Sequence, residues 1–250
     1  WVRFDFNWKD MEPKKGQFNW GPWDNAVNHA HSIGLNIFPT LGYTPKWAAS
    51  DPGCSPDPHA ENHCGPVPFS QVVDWKAFVS ACVYRYKDKI DHWGMWNEPN
   101  LSHFYKGTED QYVYDILIPG VQAVKAAQPG GKVVGPELAG LTKSSNWNGD
   151  EGTCLFGGCI FNGWEIDLAH VLQKGGEHID VISHHFYSGD DGELWEQILE
   201  GESDWGVKTH SSLKEIVQEH APDKPVWLSE WGFETKPYKG YGGGGDFTEA

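Results

Sequence analysis

The stretch Asp91-His92-Trp93-Gly94-Met95-Trp96-Asn97-Glu98-Pro99-Asn100 decides the fold. Its apolar and aromatic part has the length of a buried strand, and it stops abruptly at Asn97 and Glu98 ahead of a proline. The pattern returns in Val226-Trp227-Leu228-Ser229-Glu230-Trp231-Gly232, where a carboxylate again closes an apolar run. Working outward, strand-like runs begin near residues 1, 35, 91, 132, 180 and 225. Helix-like stretches near 23–32, 70–87, 110–127, 163–174 and 205–219 lie between them. Alternation of this kind calls for an α/β fold with a parallel sheet covered by helices. A doubly wound dinucleotide fold needs a glycine-rich turn after its first strand, whereas Asn7-Trp8-Lys9-Asp10 stands there. A (β/α)8 barrel instead carries its chemistry where strands end. The polar and aromatic residues gather at those positions: Asn7 and Trp8, Tyr43, Asn97 and Glu98, His184, His185 and Tyr187, Glu230 and Trp231. The expected fold is therefore a TIM barrel.

Composition narrows the function. The 250 residues carry a formal net charge of −16, with 17 Lys and only two Arg, Arg3 and Arg85. Such a surface repels nucleic-acid backbones and anionic lipid. No apolar run reaches the roughly 18 residues that span a bilayer. The unusual counts are 14 Trp, 9 Tyr and 12 Phe, whose flat faces suit either a packed core or sugar rings. Among them Trp47, Trp96 and Trp231 are candidates for stacking on a sugar, while Trp23, Trp75 and Trp164 are expected to pack.

Five cysteines leave one unpaired. Two local disulfides, Cys54 with Cys64 and Cys154 with Cys159, and a buried free Cys82 are the simplest assignment, and they favour an extracellular or otherwise extracytoplasmic setting. A metal site is the competing reading, because His59, His63, Cys64 and Cys54 have ligand-like spacing. No metal-ligand motif sits at the strand ends, and no cofactor is called for.

Glu98 and Glu230 carry the chemistry. A carboxylate among apolar residues is costly unless it has partners or a task. Two of them facing each other across a barrel mouth can hydrolyse a glycoside, one as proton donor and one as nucleophile or base. The motifs Trp96-Asn97-Glu98-Pro99-Asn100 and Leu228-Ser229-Glu230-Trp231-Gly232 resemble the paired signatures of clan A retaining glycoside hydrolases. Arg3, the segment from Trp8 to Trp20 and the stretch Leu41-Gly42-Tyr43-Thr44-Pro45-Lys46-Trp47 are most similar to family 39 and cellulase-like members.

The resemblance implies a barrel with Glu98 as acid/base at the end of strand four and Glu230 as nucleophile at the end of strand seven. It further implies that Asn97 bonds the hydroxyl beside the reacting carbon, that Tyr187 orients Glu230, that His185 lines the same subsite and that Arg3 holds the nucleophile ionised. His184 is expected to point away from the face that His185 uses. The implied activity is hydrolysis of O-glycosidic bonds, β-linked, in poly- or oligosaccharides by double displacement. A carbohydrate-binding barrel without catalysis is the alternative, and a metal-dependent hydrolase using His184 and His185 is the weaker third.

The length departs from that family. Glu98 and Glu230 are 132 residues apart, or 44 for each of three βα units. Eight such units need about 350 residues, against 250 present. The chain then supplies strands two to seven of a single partial barrel over residues 1–250, with strands one and eight and the eighth-strand Trp missing. Two open edges would follow. The expectation is that this segment folds poorly alone and that the parent protein extends at both ends.

Overall fold

The fold was taken from a computed structural model, which describes residues 1–55, 57, 60, 63–101, 104–139, 153–155, 158–160, 164–187 and 212–232. Six strands form one parallel sheet: β1 (Val2–Asn7), β2 (Ile37–Gly42), β3 (His92–Met95), β4 (Lys132–Leu138), β7 (Val181–Tyr187) and β8 (Val226–Gly232), in the order β1-β2-β3-β4-β7-β8. Every neighbouring pair is parallel. A parallel strand returns only through a crossover, and α2 (Gly21–Ser32), α3 (Val72–Tyr86), α5 (Ile118–Ala127), α6 (Trp164–Gly175) and α7 (Leu213–His220) supply those covers after the short α1 (Trp8–Met11) and α4 (Glu109–Gln111). Among the described residues β1 and β8 each pair on one side only, so the sheet is a barrel open along one seam. A hairpin of β5 (Thr153–Leu155) and β6 (Gly158–Ile160) falls between β4 and α6; its register sets Cys154 opposite Cys159, whose side chains lie outside the described residues.

Local chemistry explains where elements start and bend. Ser212 opens α7 with a reciprocal cap: its hydroxyl accepts from the Glu215 amide at 3.1 Å, and its own amide donates to Glu215 Oε2 at 3.0 Å. Between α4 and α5 the turn widens to a π-helix over Tyr112–Leu117 just before Pro119, a residue with no N–H to give to the ladder. Cys54 and Cys64 are joined by a disulfide, which removes both sulfurs as metal ligands, and Cys82 is free and buried in α3. His59 lies outside the described residues.

Most of the core sits between sheet and helices, and it absorbs much of the tryptophan excess. Trp8, Trp75, Trp93 and Trp96 are at most 1% exposed. Each indole N–H has a partner, namely Glu12 Oε2 at 2.7 Å, the Ile116 carbonyl at 2.8 Å, Gln128 Oε1 at 2.9 Å and the Phe104 carbonyl at 2.8 Å. Buried indoles need those acceptors. Among the described residues no helix is long and apolar enough to cross a membrane.

Inside the sheet a smaller cluster of Phe38, Val134 and Val181, with Trp227 against it, fills the lower layer. Thr40, Gly94 and Val134 lie in register across β2, β3 and β4. A Cβ built on Gly94 would come 2.3 Å from Glu137 Oε1 and 3.0 Å from the Phe38 ring. Gly94→Ala is therefore expected to destabilise the fold by about 1–3 kcal/mol, the usual cost of overpacking. Urea unfolding checks this; an unchanged midpoint would mean that the floor beneath the site is looser than its contacts imply.

Candidate active site

The site is assembled on the inner face of the sheet and at the C-terminal ends of its strands, with all six contributing. Period-two alternation along β1 puts Arg3, Asp5 and Asn7 on one face, toward the barrel interior. Arg3 sits at their base and reaches four partners. Its Nη1 donates to Glu230 Oε2 at 2.8 Å and its Nη2 to Asn97 Oδ1 at 2.5 Å. Its Nε is shared between Thr40 Oγ1 at 3.0 Å and Glu137 Oε2 at 3.1 Å. The guanidinium is the right cation for this place, because its planar fork serves several carboxylate and amide oxygens at fixed angles.

Glu98 is delivered by a sharp turn after β3. Trp96 and Glu98 both have positive φ, 77° and 42°, a conformation that costs a non-glycine residue of order 1–3 kcal/mol. Tertiary hydrogen bonds hold it. The Glu98 amide donates to the Glu137 carbonyl at 3.0 Å. The Asn100 side chain donates to the Ala139 carbonyl at 3.1 Å and accepts from its amide at 3.0 Å. The turn is thus fastened to the end of β4.

Glu230 comes from β8, and a register shift between His184 and His185 places His185 directly opposite it. His185, fully buried, has Nδ1 2.9 Å from Glu98 Oε1 and 3.5 Å from Glu230 Oε2, and Nε2 3.5 Å from Glu137 Oε2. Burial pushes its pKa down, but the carboxylates around it, Glu137 and the hydrogen-bonded Glu98 first and then Glu230, outweigh this and raise it to about 9. The ring is an imidazolium at neutral pH. Its neighbour His184, also fully buried, is driven to about 3 by desolvation and by the charge of His185, and stays neutral.

One oxygen each of Glu98 and Glu230 and a ring nitrogen of His185 lie within 4.8 Å of one another. That triplet also has the spacing of a metal site. One oxygen of Glu98 and one of Glu230 come within 4.8 Å of each other, close enough for both carboxyl groups to serve a single glycosidic bond. A cavity of about 510 Å³ opens over Glu230, lined by Arg3, Asp5, Asn7, Tyr43 and Asn97 among others. Its size and polar lining suit a sugar ring. Burial pushes the Tyr43 phenol up, so it offers a hydroxyl there.

The structure brings Arg3, Asn97, Glu98, His185 and Glu230 into one cluster. Three other candidates sit elsewhere. Trp96 is 1% exposed among Tyr43, Trp75 and Tyr105, so its face is closed to a sugar. Trp47 is half-buried edge-on to Trp8, with its N–H on the Glu12 carbonyl. Trp231 is 61% exposed and lines the open seam with Trp1 and Val226. Tyr187 ends β7, and its side chain lies outside the described residues.

Sequence reasoning missed Thr40 and, above all, Glu137. The strand near residue 132 reads as ending at Gly135, ahead of proline, whereas β4 runs on through Pro136 to Leu138. A register shift between Pro136 and Leu138, with Glu137 at φ 55°, turns Glu137 inward where simple alternation from Val134 points it outward. For Asp5 and Asn7 a signal was present, since they continue the alternation that Arg3 begins.

The profile of the family described as glycosyl hydrolases family 39 matches residues 7–241. A β-xylosidase of Geobacillus stearothermophilus is 26% identical over 179 residues, 68% of this chain and 31% of that protein. Among solved structures, a family 39 β-xylosidase from Caulobacter crescentus superposes with a TM-score of 0.60 at 19% identity, over 94% of this chain and 47% of the other. A glucosidase from Croceicoccus marinus gives the same TM-score and identity over 91% and 41%. The chain spans less than half the length of each of these relatives.

Proposed function

This chain belongs to glycosyl hydrolase family 39, and from that membership we propose that the protein hydrolyses β-linked glycosides with retention of configuration, Glu98 acting as acid/base and Glu230 as nucleophile. The observation that carries the reading is the carboxylate pair within 4.8 Å, with Arg3 on Glu230 and His185 on Glu98. In the first step Glu98 gives its proton to the glycosidic oxygen while Glu230 attacks the anomeric carbon, forming a glycosyl ester. In the second Glu98 takes a proton from water, which attacks the same carbon from the vacated face and frees Glu230. Arg3 holds Oε2 of Glu230 in place for attack, and its bond to Asn97 aims that amide at the hydroxyl next to the reacting carbon.

The β-xylosidases among the relatives support a xylose-configured substrate as the first to test, with glucose second after the glucosidase. The disulfide supports an extracytoplasmic setting. Among the described residues β1 and β8 each have one unpaired side, which supports the reading that two further strands close the barrel in the active protein. The test is stereochemical. Proton NMR of the hydrolysis of an aryl β-xyloside is expected to show the β-anomer of the free sugar first, before mutarotation. First appearance of the α-anomer would overturn the double displacement.

A further inference from the structure

Glu137 is a buried carboxylate for which two-carboxylate hydrolysis has no use. It is 0% exposed, so it cannot touch a sugar. Its Oε2 accepts from Arg3 Nε at 3.1 Å and from Thr40 Oγ1 at 3.2 Å, and lies 3.5 Å from His185 Nε2. Arg3 in turn holds Glu230, and His185 holds Glu98. An unbroken ionic chain, Glu230–Arg3–Glu137–His185–Glu98, therefore runs from one catalytic carboxylate to the other.

The reaction explains why a third carboxylate stands there. Of the three carboxylates around His185, Glu98 passes a proton and Glu230 becomes a neutral ester in the first step, so Glu137 is the anion that the chemistry leaves unchanged. Without it the desolvation of the buried ring is opposed less, and His185 gives up its proton more easily. A neutral His185 could present a lone pair at Nδ1 and accept the proton that Glu98 must give to the leaving group. We propose that Glu137 is a positioning residue that keeps His185 a donor at both ring nitrogens, so that Nδ1–H faces Glu98 through both steps. The proposal rests on the reading of Glu98 as the acid/base.

The other groups around His185 do not supply this charge by themselves. Glu230 reaches Nδ1 only at 3.5 Å and becomes neutral in the intermediate. Glu98 is itself the proton carrier. Asp5 acts on His185 from β1 at longer range, Arg3 opposes protonation, and His184 is neutral.

The test follows His185 by NMR in the full-length protein with 13C-labelled histidine, comparing wild type, Glu137→Gln and Glu137→Asp. The wild-type ring is expected to stay protonated to about pH 9. In E137Q its midpoint should fall by at least about one pH unit, a tenfold loss of proton affinity, and E137D should restore most of it. In the same variants kcat should fall about ten- to a hundredfold in E137Q, part of the roughly 10²–10⁴ supplied by acid–base catalysis, with KM changed less than about twofold. An unchanged midpoint in E137Q overturns the proposal, and so does a lowered midpoint with unchanged kcat. If E137Q does not fold, the wild type decides, since a His185 midpoint below about 7 overturns it. The His185 titration reads Glu137 whether or not Glu98 is the acid, and failure of the Glu98 assignment would appear separately in the leaving-group dependence of Glu98→Ala.

Discussion

Glu230→Ala is expected to lower kcat on aryl β-xylosides by between about 10⁴- and 10⁶-fold, the scale on which loss of a catalytic nucleophile acts. The double displacement has no first step without a carboxylate on that face of the ring. The fold should survive the change: Arg3 keeps Glu137 at 3.1 Å and Asn97 at 2.5 Å, so no buried cation is orphaned. Its circular dichroism and melting should stay close to wild type, which separates chemical from structural loss. Azide supplies a decisive addition. It fits the space left by the carboxylate, attacks the anomeric carbon from that side and gives the α-glycosyl azide from a β-glycoside. Recovery of rate with this inverted product identifies Glu230 as the nucleophile. A folded E230A protein that hydrolyses the substrate at the wild-type rate would end the assignment.

For Glu98→Ala the loss depends on the leaving group. Alcohols and sugars need a proton to depart, so their hydrolysis should slow by about 10²–10⁴-fold, the range for a positioned general acid. A dinitrophenolate leaves unaided, so its first step should change little while deglycosylation becomes slow; a burst of phenol followed by a low steady rate is the expected trace. Azide now enters from the open face and gives the β-glycosyl azide, the opposite stereochemistry to that of E230A. His185 keeps Glu137 and Glu230 at 3.5 Å, which holds its charge in the variant. Equal losses for all leaving groups would show that Glu98 is not the proton donor.

The two glutamates and the arginine were legible in the chain because each obeys a local rule. Glu98 and Glu230 both close an apolar run of strand length, and Arg3 is one of two arginines and begins an alternating face. His185 was implied by the family resemblance, and alternation served only to set His184 apart from it. Glu137 was not legible, for two reasons. Pro136 reads as the end of its strand, and the face on which Glu137 lies is reversed by a register shift that exists only when β4 is paired with β7. Thr40 was hidden for a simpler reason, since one hydroxyl in an apolar strand has no meaning until Arg3 lies beside it in the neighbouring strand.

The tryptophans divide along the same line. Their number announced aromatic surface, but whether an indole faces helix or ligand depends on what packs over it. Trp96, one residue from Asn97 in sequence, points its N–H at the Phe104 carbonyl and is sealed in the core. The sequence by itself determined the βα alternation, the strand-end positions of the carboxylates and the count of six strands, because these depend on residue periodicity and turn chemistry within about ten positions. Only the tertiary structure decided which side chains share charge, because bulges and cross-strand register choose the face of a residue and burial then makes its ionic partners strong.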